Sequence, residues 1–417
     1  MSDYKATTSE FQTVANAIRT KGGTSASLAW PDGFASAIYA IPSGVTPSGS
    51  ISISQNGTYD VSAFADAVVN VQGGGGGDSA DEYIERTIAN ISNSTASKVG
   101  SYAFYRNISL IDCTMENVTT INEQAFYMCS QLQTVVFPAC TKISASAFYS
   151  CFTLSSISFP NCVSIEQYAF SNAGKSTMSA YFPECTFVGS SAFCYAKIAY
   201  ADFPKLESAN YGGIFYNCSY LSGANLPNCK DATPTMFAQC SSLLSIEMPK
   251  CSAVYANAFS GCAKLALASF PECKSVYSNA FGGCVSLANI YLPECSMIGG
   301  TAFNYAGLAD VEFPKCEIIG NQAFGFCSHL SVISLAVCSN ISSYAFRDCK
   351  SLTSVYLLSG SVASLVNSNA FSSTPIANST YTGTFGSIFV PASLVDAYKS
   401  AANWSYYSDR ITAYVEG

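Results

Sequence analysis

The chain is poor in charge. Only 11% of its 417 residues are Asp, Glu, Lys or Arg, against about a quarter in an ordinary globular domain. Its surface must therefore be built from neutral polar side chains: Ser, Thr, Asn, Gly and Tyr. The net charge is −8 and the few Lys and Arg form no run, which argues against nucleic acid as a partner. No apolar stretch approaches the roughly 20 residues that span a bilayer. There is a single histidine, His329, so chemistry that needs clustered imidazoles is excluded. Motifs of the G-x-S-x-G, phosphate-loop and G-x-G-x-x-G types do not occur. The opening MSDYKATTSEFQTVANAIRTKGG lacks the basic-then-apolar pattern of a secretion signal. The expectation is a protein that stays inside the cell or leaves within an assembled particle when the cell lyses.

What the chain has in excess is repetition. A phenylalanine, usually preceded by alanine, recurs at Phe104, Phe126, Phe148, Phe170, Phe193, Phe215, Phe237, Phe259, Phe281, Phe303, Phe324, Phe346 and Phe371, almost always 22 residues apart. Counting from each Phe, position +6 is mostly Leu (Leu132, Leu154, Leu265, Leu352). Position +9 is often Ile or Val (Val135, Ile157, Ile290), and +11 is Phe, Leu or Met (Phe137, Leu226, Met248). Pro usually follows at +12, and a further apolar point stands at +17 (Ile143, Val276). The alternation at +9 and +11 predicts a short half-buried strand that Pro terminates, since it cannot donate to a ladder. One such unit cannot bury its apolar residues; stacked units can, each against its neighbours. The prediction is a solenoid of about 13 coils with a parallel strand ladder at ~4.8 Å per rung and a buried column of Phe rings.

This unit, A-F-x-x-C-x-x-L-x-x-I-x-F-P-x-C, resembles the leucine-rich repeat of the BspA-like type over roughly residues 98–372. Where this chain has F-P-x-C, that family often has I-P-x-x-V. The resemblance implies a non-enzymatic protein that binds protein or carbohydrate partners, with no cofactor.

The flanks differ. Residues 1–72 read as a small α+β attachment or oligomerisation module. Ser9-x-x-Gln12 is a capping box before a helix with Phe11, Val14, Ala15 and Ile18 on one face. A second helix starts near Pro31. ISISQNGTYDVSAFADAVVNV reads as two strands around the turn signal Asn56-Gly57. Residues 73–80, with five consecutive glycines, form a linker. Residues 81–97 read as a cap helix carrying Ile84, Ile88 and Ile91, and 373–417 as a C-terminal cap with a helix after Pro391 and a short strand in DRITAYV. The phrases ANAIRTKGGTSASLAWPDGFASAI and NGTYDVSAFADAVVNV are similar to the N-terminal region of tail-associated proteins of phages and prophages of gut bacteria. That resemblance implies assembly with other tail or baseplate proteins through residues 1–72, a place in the virion tail, release by lysis, and a homo-oligomer, a trimer if it follows tail fibres.

All 19 cysteines fall between Cys113 and Cys349, most at +3 (Cys129, Cys262) or +14 (Cys140, Cys251). Zinc sites use pairs two to four residues apart; the two nearest here, Cys185 and Cys194, are nine apart. A disulfide framework belongs to small secreted domains, although equivalent thiols on neighbouring rungs come within bridging range. The simpler expectation is two columns of buried, reduced, unmetallated thiols acting as small hydrophobes.

Core positions repeat, while the outward strand positions +8 and +10 do not. They supply Tyr181, Tyr200, Asp202, Asn225, Glu247, Asn289, Tyr291, Asp310, Glu312 and Tyr356 as candidate ligand-binding residues on one extended face. Tyr gives contact area at low entropic cost, and mixed with Asn and Asp it makes an adaptable surface. The expected partner is a bacterial cell-surface glycan or protein, in the role of a phage receptor-binding protein. Two alternatives stand beside it: a bacterial surface adhesin, and a glycan depolymerase, for which Asp310, Glu312 and Glu247 are the only acids to hint.

Overall fold

The computed structural model describes residues 96–415, apart from 176–177, 210–211, 378–382 and 384, together with backbone strands at 59–60 and 90–92. It is a right-through stack of 22-residue coils, the parallel solenoid that the repeat predicts.

Each coil has three segments. The first is a strand of mostly three residues centred on position +9, such as Asp112–Thr114, Thr134–Val136 and Ser245–Glu247. Its middle residue points into the core and its flanking residues outward, as in Thr134, Val135 and Val136. Consecutive strands pair in parallel, in register with the repeat: Asp112↔Thr134, Cys113↔Val135, Thr114↔Val136. Proline closes this segment because the chain must leave the ladder there. The second segment is a two-residue strand ending on the +17 residue, such as Lys142–Ile143. These short strands form their own parallel ladder in runs of six and seven.

The third segment is the arc around Ala-Phe, and its backbone alternates. Gln124 and Met128, two residues either side of Phe126, both have positive φ (53° and 57°). That conformation costs an L-residue roughly 1–2 kcal/mol. The cost is offset because it turns every second N–H along the solenoid axis. Gln124, Phe126 and Met128 donate to the carbonyls of Ala145, Ala147 and Tyr149 in the next coil, at 2.7–3.0 Å. The intervening N–H groups of Ala125 and Tyr127 bond back within their own coil. Buried backbone groups must find partners, and the arc achieves this without being helix or strand.

The core is one continuous cluster. Its axis is the Phe column from Phe104 to Phe371, with every adjacent pair of rings stacked at 5.0–5.5 Å. A second column at +11, or one place either side of it where a coil gains or loses a residue (Phe137, Phe159, Phe182, Phe203), packs against it at a tilt, as Phe148 and Phe159 do at 5.9 Å and 55°.

Eighteen of the 19 thiols are buried, and all 19 are free. A thiol at +3 donates to the carbonyl of the Phe in the preceding coil, from Cys129 to Phe104 (2.9 Å) through Cys349 to Phe324 (2.9 Å). A thiol at +14 turns back to the carbonyl two residues on, as Cys251 does to Ala253 (3.2 Å). Burial pushes Cys140 and Cys284 up to about 12. Cysteine suits these places because it fills a small apolar space and still offers a weak donor.

The sheet runs past the last Phe. Ser387–Val390 and Ile411–Ala413 add two rungs, and a helix at Val395–Ser400 lies between them. The end of the stack is closed by aromatics. Tyr407 stands edge-on to the Phe371 ring (5.4 Å, 86°) and Trp404 lies beside it. Both backbone groups of Ala363 are also satisfied here: its N–H donates to the Tyr398 hydroxyl (3.0 Å), and its carbonyl accepts from Trp404 Nε1 (2.7 Å).

At the other end one expectation is corrected. Residues 81–97 were expected to form a helix, yet Asn90–Ser92 is a strand that pairs with Asp112–Thr114. The spacing of Ile88 and Ile91 fits a helical face, but it is also the Leu132-x-x-Val135 spacing of a coil, and the open edge of the first rung selects the second option. Tyr59–Asp60 is also a strand, paired parallel to Asn90–Ser92. The helices expected at Ser9–Ile18 and after Pro31, the first hairpin strand and the five glycines lie outside the described residues.

Candidate recognition face

The residues expected to face outward are found on the +9 strands, at their flanking positions. In the middle of the solenoid the register arranges them as a grid. Ser179, Tyr200 and Gly223 are paired across three rungs, and Tyr181, Asp202 and Asn225 are paired beside them. Further along, Glu247 pairs with Ser269 and then Tyr291, in line with Ser245, Leu267 and Asn289. Asp310 and Glu312 share one strand and pair with Val332 and Ser334.

The aromatic members are open to solvent: Tyr181 is 45% exposed, Tyr200 43% and Tyr291 56%. Tyr356 differs. It is half-buried, stacked on Phe389 (4.7 Å) and met edge-on by Tyr414, so the C-terminal rungs partly cover it. Asn225 donates its amide to the Asp202 carboxylate (2.7 Å), and Ser331 donates to Asp310 (2.5 Å). The lysines bordering the face are engaged beyond the prolines, as Lys205 with Glu184 and Lys315 with Glu294 (both 2.6 Å).

Of the three acids with catalytic potential only Asp310 and Glu312 are brought together, two residues apart on the outward side of one strand. Glu247 lies three coils from Asp310 and Glu312, about 14 Å at one strand spacing per coil, beyond the ~5–9.5 Å of paired glycosidase carboxylates. His329 is exposed on a turn, with Ser328 as its neighbour (3.5 Å). Among the described residues no three His, Cys, Asp or Glu side chains gather as a metal site would require, and no helix is long and apolar enough to cross a membrane.

Several features of the face were not singled out from the sequence. Gly223 is the one glycine at an outward strand position among the described residues. Leu244 and Leu267 form an exposed apolar spot between Asn225 and Tyr291. A bulge at Ala199 interrupts the pairing of Met178–Tyr181 with Ile198–Asp202. The signal for the bulge was present in the 23-residue step from Phe170 to Phe193 and the ten-residue step from Phe193 to Phe203.

Fold and face together define a leucine-rich-repeat solenoid with a non-repeating strand surface. Residues 97–222, 164–281 and 274–390 match the BspA type leucine rich repeat region, and the chain belongs to that family. No curated protein sequence matches it. Similar solved structures include a leucine rich cell surface protein from Faecalibacterium prausnitzii, 21% identical, covering 69% of this chain and 82% of that one with a TM-score of 0.40. A leucine-rich repeat protein from Bacteroides ovatus is 19% identical over 67% of this chain and 84% of its own, TM-score 0.40. The pneumococcal vaccine antigen PcpA is 14% identical over 79% and 85%, TM-score 0.37.

Proposed function

We propose that the chain is a non-enzymatic recognition protein, a phage tail-associated adhesin that contacts a bacterial surface glycan or protein through its strand face. The observation that carries this reading is the contrast within each coil. Inward positions repeat as Phe, Leu and Cys, while the outward positions of the same strands vary and expose Tyr181, Tyr200 and Tyr291. A scaffold needs only the first; a varied face with open aromatics is what a binding surface requires. In this reading residues 1–72, whose Tyr59–Asp60 strand pairs onto the first rung, join the chain to other tail proteins and to further copies of itself, and the stack ending in the C-terminal cap presents the face. Glu247 is too far from Asp310 and Glu312 to pair with either, so a depolymerase would have to rest on Asp310 and Glu312 alone.

Purified protein should bind whole cells of a susceptible host and compete with phage adsorption; failure of both would sink the tail reading. A bacterial surface adhesin is the second reading, supported by the family. Binding to host-tissue protein without binding to bacterial cells would favour it.

A further inference from the structure

We propose that the three rungs Met178–Tyr181, Ile198–Asp202 and Gly223–Asn225 form a carbohydrate subsite: a hexose ring stacks on Tyr200, and its hydroxyls bind the Asp202–Asn225 pair. The proposal rests on the reading of the strand face as a recognition surface and names the ligand class of one part of it.

Four observations meet at this place. The first is the bulge. Met178 pairs with Ile198 but Ser179 pairs with Tyr200, so Ala199 is an extra residue in the middle strand. Bulges bend a strand and re-aim side chains, and they favour functional places. The strand that carries this one is also the longest on the face, five residues.

The second is Gly223, which pairs with Tyr200 on the next rung. A Cβ at this glycine would sit 3.2 Å and 3.4 Å from Cε2 and Cδ2 of the Tyr200 ring. The ring therefore leans over the neighbouring strand in space that any larger residue would contest. Tyr200 nevertheless keeps 43% of its surface open. One edge of the ring thus rests against the neighbouring strand while much of it stays accessible for stacking.

The third is the polar pair two residues further along the same two strands. Asn225 Nδ2 donates to Asp202 Oδ1 at 2.7 Å. That bond fixes both side chains and uses one carboxylate oxygen and one amide proton. By valence the second carboxylate oxygen, the amide oxygen and the other amide proton remain to meet hydroxyl groups.

The fourth is composition and size. The six outward positions are Ser179, Tyr181, Tyr200, Asp202, Gly223 and Asn225, with no Lys, Arg or aliphatic side chain among them. Two strand spacings by two residues give a patch of about 10 Å by 7 Å, the footprint of one or two hexose units. A sugar ring offers an apolar C–H face, which suits the electron-rich face of a tyrosine, and a rim of hydroxyls, which suits a fixed carboxylate–amide pair. The Trp and Arg anchors common in protein hot spots are absent from this patch.

The test uses the purified full chain on an array of hexose and N-acetylhexosamine oligosaccharides, then titrates the strongest binder. Expected are saturation transfer from tyrosine ring protons and a loss of at least tenfold in affinity for Tyr200→Ala and Asn225→Ala. Tyr200→Phe should stay within about threefold, Gly223→Val should weaken binding by displacing the ring, and Tyr305→Ala, an exposed tyrosine on the Ala-Phe arc outside the strand face, should leave it unchanged. Unaltered circular dichroism confirms that the variants fold. The proposal is overturned if Tyr200→Ala and Asn225→Ala bind like the parent, or if Tyr305→Ala loses as much. A blank array with cell binding that protease treatment of the cells abolishes overturns the carbohydrate assignment and leaves the recognition face standing with a protein ligand. A blank array with no cell binding removes both.

Discussion

The thiol of Cys151 donates to the carbonyl of Phe126 one coil away, at 3.1 Å, and the same carbonyl accepts the N–H of Cys129 in its own coil. This relationship ties the +3 thiol column to the Phe column and explains why those cysteines keep the pace of the aromatic spine. At three coils the equivalent residue is Ala173, Ala196 or Ala306, so the thiol bond is useful without being obligatory. Cys151→Ala should therefore cost only about 1–2 kcal/mol, a lost weak hydrogen bond and a small void. A chemical denaturation curve that collapses for this variant would show that the thiol does more than fill and donate.

The Phe column should be far less forgiving. Phe281 stacks between Phe259 (5.2 Å) and Phe303 (5.3 Å) and meets Phe270 edge-on (5.9 Å). Phe281→Ala should cost about 3–5 kcal/mol. An unchanged denaturation midpoint would contradict the packing described.

Thiol reactivity gives a count that can be checked. Cys194 alone is half-buried, the other 18 being buried. A chromogenic disulfide reagent should titrate Cys194 ahead of the rest in the native protein, slowly at neutral pH because half-burial raises it to about 11, and all 19 thiols in denaturant. Two or more fast thiols at neutral pH would mean that the coils open locally.

Alkali should loosen the stack. Burial raises Cys229 and Cys273 to about 11 and Cys140 and Cys284 to about 12, from an ordinary value of 9.0. The folded state thus favours the neutral thiol. Its contribution is full below about pH 9, where thiols of the unfolded chain are also neutral, and is lost as pH rises through about 11–12. Denaturation midpoints at pH 8, 9.5 and 11 should fall in that order. A variant with Cys251, Cys273 and Cys295 changed to Ala should show a shallower fall.

The C-terminal closure should act as a stopper. Trp404→Ala removes a buried ring and the donor to the Ala363 carbonyl, at about 3–5 kcal/mol. Hydrogen exchange should show fraying that begins in the rungs at Ser387–Val390 and Ile411–Ala413 and decays toward the N-terminus, because each coil leans only on its neighbours.

Much of this architecture was legible because a solenoid obeys nearest-neighbour rules. A residue type that recurs every 22 positions must meet its own kind one rung away, so Phe104 predicts its contact with Phe126 without any knowledge of distant chain. The outward positions of Tyr181, Asp202 and Asn225 followed from the same counting and from the period of two in a strand. The repeat was misread where it is degenerate. Ile88 and Ile91 satisfy helix and coil spacing alike, and only the unpaired edge of the Asp112–Thr114 strand decides that Asn90–Ser92 pairs as a rung.

The period, the inward or outward side of each strand residue and the burial of the thiols can be read from the chain alone, because they depend on local alternation and on identical neighbours. What the irregular residues do together emerges only when the coils are stacked. The backbone alternation at Gln124 and Met128 exists because the next coil supplies acceptors. Tyr200 leans over Gly223 because a bulge shifts one strand against another, and Tyr356 is partly covered because Phe389 arrives from a rung beyond the last repeat. Such relationships join residues through register and hydrogen-bond direction, and these are fixed only when the coils stack.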